Sequence, residues 1–100
     1  MQDSVSPQIA EIRARYQASL PDKAAMIEEH IGVLSGGFVT DVQIEEAHEM
    51  LHKLAGSAGM YGYDNVSMLS RSAMTNTSQQ SLDVLLSQLN ELKALLEELA

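Results

Sequence analysis

The chain contains no cysteine, which excludes a disulfide framework, a thiolate metal site and a cysteine nucleophile together. A cytoplasmic home is the natural expectation. No stretch approaches the roughly 20 apolar residues that cross a bilayer, and the amino terminus has no basic region followed by an apolar run. Neither a membrane span nor a standard export signal is expected. Basic side chains are scarce: six Lys and Arg stand against fourteen Asp and Glu, for a net charge of −8. That sign repels a phosphate backbone and an anionic membrane surface, so nucleic acid and membrane are not expected partners. Proline is also rare, with two in 100 residues, and few short polar stretches interrupt the chain.

What remains is 45% hydrophobic and 20% charged, the composition of an ordinary globular protein. The length implies a single domain over residues 1–100 with one modest core, folding hiding roughly 65% of the unfolded chain's surface. No segment alternates with period two for long enough to make a strand, so the fold class is all-α. Ser6 before Pro7 reads as an N-cap with proline in the first helical position, opening a helix over about 7–19 with Ile9, Ile12, Tyr16 and Leu20 on its apolar face. Pro21-Asp22 restarts the chain, and Ala25, Met26, Ile27, Ile31 and Leu34 mark a second helix that stops at Ser35-Gly36-Gly37. Thr40 and Gln43 form a capping box for a third helix, which carries Ile44, Ala47, Leu51, Leu54 and Ala58 on one face and ends near Gly62. A fourth helix begins at Asp64 and fades in Thr75-Asn76-Thr77.

The last helix, roughly 78–99, places Leu82, Leu85, Leu89, Leu92, Leu96 and Leu99 in steps of three and four. A dimeric coiled coil uses that spacing, and so does a seam inside a helical bundle. Because every other helix also has an apolar face to bury, the bundle is the preferred reading and a monomer is expected. Short connections between amphipathic helices imply antiparallel neighbours. The predicted architecture is an up-and-down antiparallel four-helix bundle with an additional N-terminal helical segment.

Chemistry-bearing residues concentrate in the third helix, over residues 47–62. His48-Glu49-Met50-Leu51-His52 matches H-E-x-x-H, the spacing that sets two imidazoles one turn apart on zinc with a glutamate as general base. A catalytic zinc needs a third ligand, and His30 belongs to another helix while no glutamate occurs between Glu49 and Glu91. No metal site is therefore assigned. A different reading starts from Gly56 and Gly59, which cost a helix about 1 kcal/mol each relative to alanine. Rotation by roughly 100° per residue turns His52 away from the apolar face, with Ala55, Gly56 and Gly59 following on the same strip. Bare backbone and methyl groups beside an exposed imidazole let another protein approach closely. His48 falls at the boundary of the core, where a partly buried, hydrogen-bonded histidine is the common outcome.

The run His52-Lys53-Leu54-Ala55-Gly56-Ser57-Ala58-Gly59-Met60-Tyr61-Gly62 resembles the signature of the histidine-containing phosphotransfer (HPt) domain, H-x-L-K-G-S-x-x-x-x-G. The histidine, the leucine two residues on, the Gly-Ser pair and the closing glycine coincide, and the flanking helices agree with the family's four-helix bundle. Two positions depart from the family. Ala55 stands where a lysine or arginine is common, and Met74 where a glutamate is frequent. The resemblance implies that His52 is the phosphoacceptor of a two-component phosphorelay. It would take a phosphoryl group from a sensor histidine kinase or a response-regulator receiver domain and pass it to a receiver aspartate. His48, Glu49, Ala55, Gly56 and Gly59 would form the partner-docking surface. No phosphate-binding glycine loop for ATP is visible, so a carrier without kinase activity and without a cofactor is expected. A helical adaptor that binds a receiver or kinase without carrying phosphate is the alternative.

Overall fold

The computed structural model describes residues 7–78 and 82–100. Five helices follow in order: α1 (Pro7–Ala18), α2 (Leu20–Leu34), α3 (Asp41–Met60), α4 (Asp64–Ser78) and α5 (Leu82–Leu99). There is no strand among the described residues. Helices α2 to α5 form the predicted bundle around a core that includes Leu20, Ile27, Leu34, Leu51, Leu89, Leu92 and Leu96, all essentially inaccessible. The leucine series of α5 is thus consumed inside the chain, with Leu82 and Leu99 partly buried at its two ends.

The helix boundaries follow local chemistry. At the start of α3 the Thr40 hydroxyl accepts from the Gln43 amide at 3.2 Å, while the Gln43 side chain accepts from the Thr40 amide at 3.0 Å. Both groups would otherwise lack a helical partner. Its far end closes through the amides of Gly62 and Tyr63, which donate to the carbonyls of Gly59 and Ala58. That wrap needs a left-handed residue, and Gly62 supplies it with φ of 86°. The closing glycine of the motif is therefore a helix stop.

Three sequence expectations are corrected. Ser78 belongs to α4 rather than to the last helix: Thr77 accepts from His48, and Asn76 bonds Gln88, so this polar segment is held in the helix instead of fading. On α2 the buried alanine is Ala24, while Ala25 and Met26 are exposed. On α1 only Tyr16 is buried, with Ile9 and Ile12 nearly half exposed. The molecule is 55 Å long, yet the 20-residue α3 spans only about 30 Å; α1 runs past the end of the bundle and has little to pack against. The expected cap at Ser6 and the residues 79–81 lie outside the described residues.

The helices are not equally close. Helix α4 turns Val66, Ser67, Ser70, Ala73 and Thr77 inward, side chains short enough to let it lie tightly against α3. Helices α2 and α5 make the second tight pair, α4 and α5 join the two, and α2 touches α3 only sparsely.

Candidate functional site

Helix α3 has two contrasting edges with His52 between them. On one edge, His48 Nδ1 lies 2.7 Å from the Thr77 hydroxyl of α4. The single hydroxyl proton of Thr77 is already donated to the Met74 carbonyl at 2.6 Å, so Thr77 accepts and His48 Nδ1 donates. The imidazole of His48 is thereby a strut between α3 and α4. Further along, the Ser67 hydroxyl donates to the Ala55 carbonyl at 2.8 Å. A Cβ built on Gly59 would stand 3.2 Å from Ser67 Oγ, so glycine at 59 lets the two helices close.

The other edge faces α2 across a groove of about 810 Å³. Met26, Val42, Met50 and Leu54 give it an apolar floor, and Lys23, His30, Glu45, Glu46, Glu49 and Lys53 surround it. At its end lies an aromatic cluster. Tyr16 stacks on Tyr61 with centroids 4.5 Å apart, Tyr63 is 5.6 Å away, and the Lys23 ammonium sits 4.7 Å from the Tyr16 ring centre. The Tyr16 hydroxyl is 2.8 Å from Ser57 Oγ. Ser57 also lies 3.3 Å from the Leu54 carbonyl, and either hydroxyl can donate in the Tyr16–Ser57 pair. Burial raises the Tyr16 phenol above its ordinary value, opposed by that bond and reinforced by the neighbouring tyrosines.

His52 stands exposed between these edges, as does Gly56 one turn on, where an added Cβ would meet nothing within 4 Å. Of the residues expected on the docking strip, Glu49 is exposed and lines the groove, Gly56 is open, and Gly59 is exposed but pressed by Ser67. His48 is half-buried against α4. Ala55 is corrected: it is only 4% exposed, because its position points at the inner, small-residue face of α4. A helical wheel of α3 alone cannot register a neighbour that approaches so closely. The same reading missed the groove, the Tyr16–Ser57 link and the Lys23 cation over the Tyr16 ring. Only Lys23 had a local signal, seven residues beyond a buried tyrosine on adjoining helices.

Among the described residues no three His, Asp or Glu side chains assemble as a metal cage. His48 and His52, which share the H-E-x-x-H spacing, have separate surroundings: one is bonded to α4 and the other is open. The described helices include none long and apolar enough to cross a membrane.

The structure is thus a helical bundle whose α3 holds the His52 imidazole outward, with bare backbone a turn away, and uses its other histidine, His48, as a brace to α4. The Hpt-domain family model matches residues 11–100, and the chain belongs to this family of two-component phosphorelay domains. No curated protein and no solved structure matched it.

Proposed function

We propose that the protein is a phosphoryl carrier, with His52 as the acceptor, shuttling between a kinase or receiver domain and a receiver aspartate. The observation that supports this reading most is the pairing of an exposed His52 with an open Gly56 on α3, a helix packed closely against α4. A lone pair on a ring nitrogen of His52 attacks phosphorus in the donor's aspartyl phosphate. The P–N bond forms, the P–O bond breaks, and its electron pair returns to the aspartate as carboxylate. The reverse sequence delivers the group to the next receiver. Such a transfer needs in-line approach and neutralisation of the charge on the moving group. The chain supplies the nucleophile, and the receiver supplies the aspartate. Holding the imidazole on a rigid helix reduces the motion that must be frozen at the moment of transfer.

The docking surface in this reading is Gly56, Glu49 and the rim of the α2–α3 groove, with Gly59 and His48 bracing it from the α4 side. Phosphotransfer profiling tests it. The chain is incubated with 32P-labelled receiver domains and kinases from the same genome, and acid-labile label is followed. His52→Gln should remove the label and leave the melting temperature unchanged, as an exposed side chain contributes little to the core. His48→Gln should retain labelling. Label that survives His52→Gln and vanishes in His48→Gln would overturn the assignment, and co-purification without label would identify an adaptor.

A further inference from the structure

We infer that Arg71 of α4 is the cation that pairs with a phosphoryl group carried on His52, an inference that rests on the carrier reading above. Phosphorylation adds roughly −1.5 to −2 charges to a strip that already holds Glu45 and Glu49 on the same helix. Three cations belong to the neighbourhood. Lys23 is committed to the Tyr16 ring and to Ser19 Oγ, at 2.9 Å. Lys53 lines the α2–α3 groove and projects roughly 100° round the helix from His52. Arg71 is exposed on α4, and among the described residues it makes no ion pair.

Two hydrogen bonds fix the register of the antiparallel helices: His48 to Thr77, and the Ala55 carbonyl to Ser67. His52 falls a little over halfway from the first anchor to the second, and the same fraction of the way along α4 is Arg71. The angular positions agree. Helical rotation sets His52 roughly 40° outward from the line of His48 and Ala55, and sets Arg71 roughly 40° outward from Ser67. In antiparallel neighbours those rotations lead to one external furrow, over the seam between α3 and α4. Packed helices lie about 8–10 Å apart, a span that an arginine and a phosphorylated imidazole cover together. The planar guanidinium then meets two phosphoryl oxygens at once. In the loose transition state of phosphoryl loss these oxygens carry less charge than in the ground state, so the pairing slows hydrolysis of the P–N bond. Asp64, nearer the start of α4, is the opposing charge on the furrow's α4 side.

The test loads the full chain with phosphoramidate, removes the donor, and follows loss of acid-labile phosphate at His52, using His52→Gln to confirm the site. Arg71→Gln should shorten the lifetime about three- to tenfold, and Arg71→Lys should restore part of it. In 31P NMR the second ionisation of the phosphoryl group should move to higher pH in Arg71→Gln, a change that a purely structural role would not produce. High salt should shorten the wild-type lifetime towards that of the variant. Equal lifetimes and titrations for wild type and Arg71→Gln would overturn the pairing, as would a loss of lifetime in Lys53→Gln instead. Absence of label on His52 would overturn it too. Failure to take label from any receiver or kinase, with normal phosphoramidate loading, would overturn the carrier reading alone.

Discussion

Gly56→Leu separates folding from docking. No atom outside the local helix lies within 4 Å of an added Cβ at this position, so the leucine projects into solvent without displacing a neighbour. Glycine in a helix costs about 0.8–1 kcal/mol relative to alanine, and leucine is close to alanine. The variant should therefore gain up to about 1 kcal/mol, or roughly 4–8 °C in melting temperature for a domain of this size. Phosphotransfer from a receiver should nevertheless fall on the order of a hundredfold. The new side chain stands one turn from His52 on the approach side, and a displacement of about an ångström between reacting atoms has that cost. The assays are thermal denaturation by circular dichroism and rapid-quench transfer from a 32P-labelled receiver, with phosphoramidate labelling in parallel as a donor that needs no docking surface. Gly59→Leu is the contrasting control. Its Cβ meets Ser67 Oγ at 3.2 Å, so overpacking at the α3–α4 seam should lower stability by about 1–3 kcal/mol. Unchanged receiver transfer in Gly56→Leu would refute the close-approach reasoning and leave only Gly59 with a structural reason, its packing against Ser67.

Tyr16→Phe removes the bond to Ser57 and should cost about 1 kcal/mol, measured by urea denaturation. The same variant has a pH signature. Because the folded phenol titrates above its ordinary value of 10.0, its contribution is complete below that value and is lost as pH rises through the folded one; the phenylalanine variant should lack this alkaline loss, and an identical pH profile would refute it. Ser70 Oγ is buried with no hydrogen-bond partner among the described residues, so Ser70→Ala should raise stability by about 1 kcal/mol in the same assay. A drop on that substitution would mean that the hydroxyl has a partner in solution.

The helices, the capping box and the glycine stops were legible because each depends on residues within a turn of one another. The exposed placement of His52 was legible for a related reason: α3 has a strong apolar face, and rotation from that face locates everything else on the helix. Ala55 was not legible. Its burial depends on the short side chains of a different helix, Ser67 among them, and an alanine gives no hint of which neighbour covers it. The inner face of α4 escaped for the same reason, being built from serine, alanine and threonine rather than leucine. Ile9 and Ile12 have helical spacing but lie beyond the end of the bundle, and periodicity carries no information about where a neighbour stops. Arg71 is the extreme case. Its position relative to His52 depends on the register of two antiparallel helices, which only the His48–Thr77 and Ala55–Ser67 bonds define.

The unequal edges of α3 give the bundle a hinge side and a free side. Close packing joins α3 to α4, whereas α3 touches α2 only sparsely and α2 is held instead by α5. A partner pressing a side chain into the groove would spread α2 from α3 before it disturbed α4. If His52 carries the phosphoryl group as proposed, a docking partner would meet the sparsely contacted α2–α3 margin on one side of the imidazole and the close α3–α4 seam on the other.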